Sequence, residues 1–254
     1  MNGDPVRSMS KPDAIIGLKP AAALRIDGFR REAFDDDVIE EVPVALLSNG
    51  SSYAVMMATP TDLLDFVLGF ALTEGIVASP DEFRLVDCVR SEHGIALHAA
   101  IPQARYDGLG ERARSLTGRS GCGLCGTETI EAAIRPVRKI ASDASFSAAM
   151  IADGLQQLSA RQPLNHRCGG AHAAGYVHAG GIVVREDVGR HNALDKLAGA
   201  LASSPSTEGF LVITSHAPRT RSCTSPPPSA SPSSPRCPLP PTSRSASPTK
   251  PESP

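Results

Sequence analysis

The sequence predicts a protein of the α/β or α+β class, and two observations lead to this prediction. An Asn-Gly pair at 49–50 separates apolar runs at 42–47 and 53–58, an arrangement typical of a tight β-hairpin. Beyond residue 140, segments with helical spacing alternate with short apolar runs, which indicates helices packed against a sheet.

The N-terminal half contains further predicted elements. Residues 1–22 are polar and irregular, so we expect a disordered tail. After the hairpin, Thr59 can cap a helix that Gly75 ends. Two strand-like runs follow at 83–89 and 95–99.

The C-terminal half begins after a mobile connection that glycines and arginines predict at 103–126. Its predicted helices and strands follow one another along the chain, as expected for helices that cover a sheet. The helices are predicted at 127–134, 147–158 and 189–200, and the strands at 173–177, 181–185 and 210–214.

Composition excludes several classes of protein. The formal net charge is -2, aromatic residues make up 4% and Trp is absent, which argues against nucleic-acid binding. No apolar run approaches the ~20 residues of a membrane span, and the N-terminus lacks the apolar region of a signal peptide. We therefore expect a cytoplasmic protein with no membrane partner, in which six cysteines suit metal binding or catalysis better than disulfides.

Cys122 and Cys125 form a CxxC pair and are the strongest candidates for chemistry. Surrounding glycines leave the two sulfurs uncrowded, and a helix that begins near residue 127 would favour the reactive thiolate. The spacing alone leaves three roles open: a sulfur or acyl carrier, a dithiol–disulfide oxidoreductase, and half of a structural zinc site.

A second cluster, at 168–174, holds residues that could complete such a zinc site. They are Cys168 and His172, with His166 nearby, but the chain has no second CxxC pair. Zinc deaminases need a Glu two residues after the ligand His, and Ala174 stands there, so a deaminase is excluded. His172 equally fits a histidine whose hydrogen bonds are satisfied at a strand edge.

A third cluster, at 186–196, concentrates charge where a predicted strand meets a predicted helix. Arg190 and His191 lie at the start of that helix, where they could contact a phosphate or another anion. An internal salt-bridge network that holds the junction together explains the same charges equally well.

Together and in this order, the three clusters resemble the formate dehydrogenase accessory sulfurtransferase family (FdhD). The similarity extends over about residues 40–215. It is carried by EVPV at 41–44, TP-x-DL at 59–63, GFALTEG at 69–75, GCGLCG at 121–126, CGGAHAA at 168–174 and EDVGRHNALDK at 186–196.

The resemblance implies a fold. We expect a small β-rich N-terminal domain at 23–117 and a cytidine-deaminase-like αβ domain at 127–215 that lacks the zinc site. A mobile Cys loop at 118–126 would join them.

The resemblance also implies a function. Cys122, assisted by Cys125, would accept persulfide sulfur from a cysteine desulfurase. The sulfur would pass to the molybdenum of bis-molybdopterin guanine dinucleotide, the cofactor that formate dehydrogenase needs. His172, Arg190 and His191 are the candidates for binding this cofactor. A homodimer without a metal of its own is implied, and the rival functions are a zinc-binding module, a dithiol oxidoreductase and a cofactor-escorting chaperone.

Residues 216–254 depart from the family pattern. They hold 12 of the 22 prolines and 10 serines, so burial cannot offset their ordering entropy and we expect disorder. A family-like continuation read one frame off reproduces residues 217–228, which indicates a frameshift. Because the family continues with a helix and strands, we expect this chain to be unstable and inactive in cofactor binding.

Overall fold

The computed structural model of the chain describes residues 16–109, 143–204 and 208–214, which all belong to one compact unit. Helices and sheets are both present, which confirms the α+β class. The predicted Cys loop at 118–126, the helix predicted at 127–134 and the tail at 216–254 lie outside the described residues. Within the described ranges, every helix is too short or too polar to cross a lipid bilayer.

Two long strands that the sequence analysis does not predict begin the fold. β1 (Leu18–Asp27) and β2 (Arg30–Ile39) pair in antiparallel fashion around Gly28, whose φ is 57°. β1 begins at Leu18, so the prediction of a disordered tail is wrong for residues 18–22. Both strands are largely exposed, and they therefore lack the one-sided apolar alternation by which a strand is recognised in a sequence.

A four-stranded sheet forms the centre of the N-terminal half, with the strand order β4-β3-β6-β5. Its members are β3 (Val42–Ser48), β4 (Ser51–Ala58), β5 (Arg84–Ser91) and β6 (Gly94–Ala100), and β3 and β6 run parallel. The predicted hairpin and the two later strands are thus confirmed. Asn49 has a φ of 49° in the hairpin turn, and its amide exchanges two 3.0 Å hydrogen bonds with the backbone of Ile101.

Helix α1 (Leu63–Thr73) packs against this sheet through Phe66, Val67 and Phe70, which belong to the largest apolar cluster. The prediction that Thr59 caps this helix is wrong. Asp62 occupies the N-cap position with a left-handed φ of 50°, and the Thr59 hydroxyl accepts a hydrogen bond from another part of the chain. A 3₁₀ turn (Pro80–Glu82) and a short helix, α2 (Gln103–Asp107), complete this half in the described residues.

The C-terminal half alternates helices and strands in its described residues. Its elements are α3 (Ala148–Ala160), α4 (Pro163–Cys168), β7 (His172–His178), β8 (Gly181–Asp187), α5 (Arg190–Ala202) and β9 (Gly209–Thr214). All were predicted within a few residues except α4, which is too short to show a helical period. The three strands form an antiparallel sheet in the order β8-β7-β9.

Helices cover both faces of this sheet, but unequally. Leu158 of α3 packs on one face with Val212 of β9, and Leu197 of α5 packs on the other with Ala174 of β7. Leu211 and Ile213 of β9 lie on the α5 face, because they pair with residues of β7 that α5 covers. They remain 46% and 43% exposed, so this apolar strip at the sheet edge is incompletely buried.

Two glycines allow α1 and α5 to approach each other closely. A Cβ atom on Gly69 would overlap the carbonyl oxygen of Asp195, and one on Gly199 would overlap the carbonyl oxygen of Asp65. The contact is reciprocal, because each helix places a glycine where the backbone of the other comes nearest. No side chain larger than hydrogen fits at either position without separating the helices.

We expect Gly69→Ala to lower the free energy of unfolding by about 1–3 kcal/mol, the usual cost of forcing extra atoms into a close-packed contact. Urea denaturation followed by circular dichroism measures the change. Gly108→Ala is the control, because a Cβ there would lie 3.4 Å from its nearest neighbour and the φ is -70°. Equal stability of the two variants would contradict the close helix contact.

Candidate functional site

The structure brings three of the five predicted site residues to one end of the second sheet. His172 is the first residue of β7 and lies opposite Asp187, the last residue of β8. Arg190 and His191 follow as the first two residues of α5. Cys122 and Cys125 lie outside the described residues.

A short turn, Val188–Gly189, connects β8 to α5 and presents Arg190 and His191 at the surface. Partial burial, together with the neighbouring charge of Arg190, lowers the pKa of the His191 imidazole below its usual value of 6.5. At neutral pH the imidazole is therefore mainly neutral, and Arg190 is the constant positive charge of the turn.

Directly beneath the turn lies a buried ion pair. The Lys196 Nζ is 2.7 Å from Asp187 Oδ2, and both side chains are fully buried. Lys196 also donates hydrogen bonds to the carbonyl oxygen of Thr59 (3.0 Å), the hydroxyl of Thr61 (3.1 Å) and the carbonyl oxygen of Glu186 (3.3 Å). The ammonium group thus has partners from both halves of the molecule, which offsets much of the cost of its burial.

The Asp187 carboxylate is equally well satisfied. Its Oδ2 accepts a 3.0 Å hydrogen bond from the backbone N–H of Thr59, in addition to the ammonium of Lys196. Its Oδ1 accepts hydrogen bonds from the backbone N–H of Gly189 (2.8 Å) and the amide nitrogen of Asn192 (3.0 Å). The internal network that the sequence left open as an explanation of these charges is therefore present.

Glu186, the residue before Asp187 in β8, forms a separate buried contact. Its two carboxylate oxygens accept hydrogen bonds from the backbone N–H groups of Leu164 (3.0 Å) and Asn165 (2.9 Å) at the start of α4. Burial raises the pKa of this carboxyl group, and the two hydrogen bonds partly offset the effect. Glu186 therefore acts as an anchor for α4 and does not reach the exposed turn.

Arg185 connects β8 to the start of α1. Its guanidinium lies 2.6 Å from the carboxylate of Asp65 and 3.7 Å from that of Asp62, the residue with the left-handed backbone. An open groove of about 730 Å³ lies beside these groups and also borders Glu186. Neither Arg190 nor His191 lines this groove, so the predicted anion contacts belong to a different surface.

Asp195 lies in the contact between α1 and α5, where its carboxylate accepts a 2.7 Å hydrogen bond from the Thr73 hydroxyl. Burial raises the pKa of this carboxyl group from 3.8 to about 6, although the bond from Thr73 acts in the opposite direction. The charge of Glu74 nearby contributes to the increase. The raised pKa of Asp195 could not be predicted from the sequence, because the burial of this side of α5 depends on its packing against α1.

The zinc hypothesis stays a prediction, because Cys122 and Cys125 lie outside the described residues and only Cys168, His166 and His172 lie within the described part of the chain. No group of three or more His, Cys, Asp or Glu side chains lies close enough together there to hold a metal ion. Cys168 is a free thiol that accepts a 3.4 Å hydrogen bond from the backbone of Gly170.

Comparison with known sequences relates most of the chain to one family. A model described as the FdhD/NarQ family matches residues 39–219. Sulfur carrier protein FdhD of Cupriavidus necator is 52% identical over 186 residues, which are 72% of this chain and 65% of that protein. The protein of the same name from Variovorax paradoxus is 46% identical over 211 residues, which are 80% of this chain and 76% of that protein. The aligned region is thus just under two thirds of the Cupriavidus protein.

A solved structure shares the fold. It is the crystal structure of a protein from Desulfotalea psychrophila that is proposed to be a formate dehydrogenase accessory protein. The superposition covers 78% of this chain and 73% of that one, with a TM-score of 0.55 and 20% sequence identity. At this identity the comparison supports the fold alone.

The raised pKa of Asp195 predicts a pH dependence of stability. Between pH 3.8 and about 6 the folded protein holds a proton on this group more tightly than the unfolded chain does. The stabilising contribution is therefore complete below about pH 4 and is lost as the pH rises to about 6. Asp195→Asn keeps an acceptor for the Thr73 hydroxyl and should remove this part of the dependence.

Urea unfolding of both proteins from pH 4.5 to 7 measures the effect. The stability gained by Asp195→Asn relative to the original chain should increase with pH across this range. Asp153→Asn is the control, because Asp153 is an exposed helical residue that also accepts a side-chain hydrogen bond, from Gln157 at 2.6 Å. A pH-independent difference for Asp195→Asn would contradict the raised pKa.

Proposed function

The chain belongs to the FdhD/NarQ family, and on this basis we propose that it is a sulfur carrier that serves formate dehydrogenase. The observation that supports the proposal most directly is its similarity to proteins named sulfur carrier protein FdhD, at 46–52% identity over most of the chain. The CxxC loop and the 186–196 segment carry the resemblance to the same family, and a sulfur carrier is one of the roles that the CxxC spacing leaves open.

We assign the carrier role to Cys122. Its thiolate attacks the outer, sulfane sulfur of a persulfide on a cysteine desulfurase. A new S–S bond forms on Cys122, the S–S bond of the donor breaks, and the donor cysteine leaves as a thiolate. Cys125 assists. A persulfide is more acidic and more nucleophilic than a thiol, which suits a group that must also deliver its sulfur.

The acceptor that we propose is the molybdenum of bis-molybdopterin guanine dinucleotide, which is a substrate of the carrier and not a resident cofactor. His172, Arg190 and His191 are the proposed contacts. Their support is that they lie at one end of the sheet, with Arg190 exposed and suited to a phosphate or pyrophosphate group. The neutral His191 imidazole adds hydrogen-bonding capacity without a second fixed charge.

The partners follow from this role. A cysteine desulfurase supplies the sulfur, formate dehydrogenase receives the sulfurated cofactor, and we propose that the carrier acts in the cytoplasm as a homodimer. We further propose that the altered segment at 216–254 impairs cofactor binding. The half-exposed Leu211 and Ile213 support this proposal, because a helix or strand after β9 would cover them.

Persulfide formation on Cys122 is directly measurable. After incubation with a cysteine desulfurase and cysteine, intact-protein mass spectrometry should show a gain of about 32 Da, the mass of one sulfur atom in a persulfide. Cys122→Ala should abolish the gain, whereas Cys168→Ala, the control at another free thiol, should retain it. Stoichiometric zinc without any sulfur gain would instead support the zinc-binding module, and a reversible Cys122–Cys125 disulfide that needs no sulfur donor would support the dithiol oxidoreductase.

A version with the reading frame restored after residue 215 tests the role of the C-terminal segment. We expect the restored protein to unfold cooperatively and to bind GDP, used as a probe for the guanine end of the cofactor, with an affinity at least about tenfold above that of the present chain. Such a difference corresponds to about 1.4 kcal/mol. Calorimetric titration of both proteins measures the affinity, and equal binding would show that residues 216–254 are not a lesion.

A further inference from the structure

The two oxygens of the Asp187 carboxylate have different partners. Oδ2 faces the ammonium of Lys196 and the backbone N–H of Thr59, which satisfies the buried charge. Oδ1 accepts hydrogen bonds from the N–H of Gly189 in the turn at 2.8 Å and from the side-chain amide of Asn192 in α5 at 3.0 Å.

These two donors lie on either side of the pair Arg190 and His191 along the chain. Gly189 immediately precedes the pair and Asn192 immediately follows it. A single oxygen atom therefore holds both ends of the segment that carries the two proposed anion contacts. The Asn192 amide also donates a 2.8 Å hydrogen bond to the carbonyl oxygen of Met57 in β4, so the segment is tied to the N-terminal sheet as well.

We propose that Asp187 is a positioning residue, which holds the 189–192 segment in the conformation that presents Arg190 and His191 to an anionic group of the cofactor. The proposal deepens the proposed function and rests on it, because it takes Arg190 and His191 as the cofactor contacts. Asp187 is itself fully buried and does not touch the cofactor.

A buried carboxylate needs donors at both oxygens in any case, but the donors at Oδ1 are the two groups that flank Arg190 and His191. The ion pair with Lys196 and the contact with Thr59 need only Oδ2. A Cβ atom at Gly189 would make a tight contact of 3.1 Å with the Asn192 amide nitrogen and an ordinary contact of 3.5 Å with Asp187 Oδ1. The close approach of these groups leaves little room for the turn to move.

Two double variants separate positioning from stability. Asp187→Asn with Lys196→Met removes the buried charges and keeps an oxygen that can accept from Gly189 and Asn192. Asp187→Leu with Lys196→Met removes the same charges and that acceptor as well. Because neither variant leaves an unpaired buried charge, both should fold, which thermal unfolding checks.

The first readout needs no ligand. Hydrogen–deuterium exchange of a peptide that covers 188–192 should be at least about tenfold faster in the Leu-Met variant than in the Asn-Met variant, as expected when a hydrogen bond of about 1.4 kcal/mol or more is lost. Exchange of a core peptide from β6 should be equal in the two. Equal exchange at 188–192 would overturn the positioning role.

The second readout is the affinity for GDP, measured in the restored-frame protein. The Leu-Met variant should bind at least about tenfold more weakly than the Asn-Met variant, and this loss should disappear when Arg190→Gln is present in both. Additive losses would overturn the proposal, because Asp187 would then not act through Arg190. Faster exchange without any effect on GDP affinity would instead show that the turn is held by Asp187 but that the cofactor contacts assigned to Arg190 and His191 are wrong.

Discussion

The buried ion pair between Asp187 and Lys196 is the constraint on which the rest of the structure depends. Two charges without access to water are tolerated only when hydrogen bonds satisfy them on every side. Here those partners come from Thr59 in the N-terminal half as well as from β8 and α5. Satisfying the pair therefore requires the connection between β4 and α1 to lie against the start of α5, and this in turn brings α1 and α5 side by side.

The contact between α1 and α5 also joins the two halves, but it does so through close backbone packing and hydrogen bonds and not through a buried ion pair. Gly69 and Gly199 allow the two helix backbones to approach closely. Asp195 of α5 accepts a hydrogen bond from Thr73 of α1, and Arg185 of β8 forms an ion pair with Asp65 of α1. The TP-x-DL, GFALTEG and EDVGRHNALDK motifs therefore supply contacts that join the two halves. Within the 186–196 segment, Arg190 and His191 are the exposed residues, so the groups of this segment that can meet a ligand lie at the start of α5.

The burial of Asp187 and the exposure of Arg190 and His191 explain how the 186–196 segment is both rigid and accessible to a ligand. The chain passes from the fully buried carboxylate of Asp187 through the turn at 188–189 to an exposed arginine and histidine within four residues. A carrier that hands a group from one protein to another has to expose its binding groups, and exposed side chains on a loop would lose much conformational entropy on binding. Holding the backbone of the turn from beneath reduces that cost without covering the side chains.

The sequence by itself determined the α+β class, the β3–β4 hairpin and most later elements, because Asn-Gly turns and apolar periods are local signals. It also identified the family and the 186–196 cluster. It did not reveal β1 and β2, whose exposed faces carry no apolar alternation, or the short α4. Only the tertiary structure decided that Thr59 serves the Asp187 network and not a helix cap, and that Lys196 is buried. The role of Thr59 and the burial of Lys196 both depend on partners that are more than 100 residues apart along the chain, and only folding brings them together.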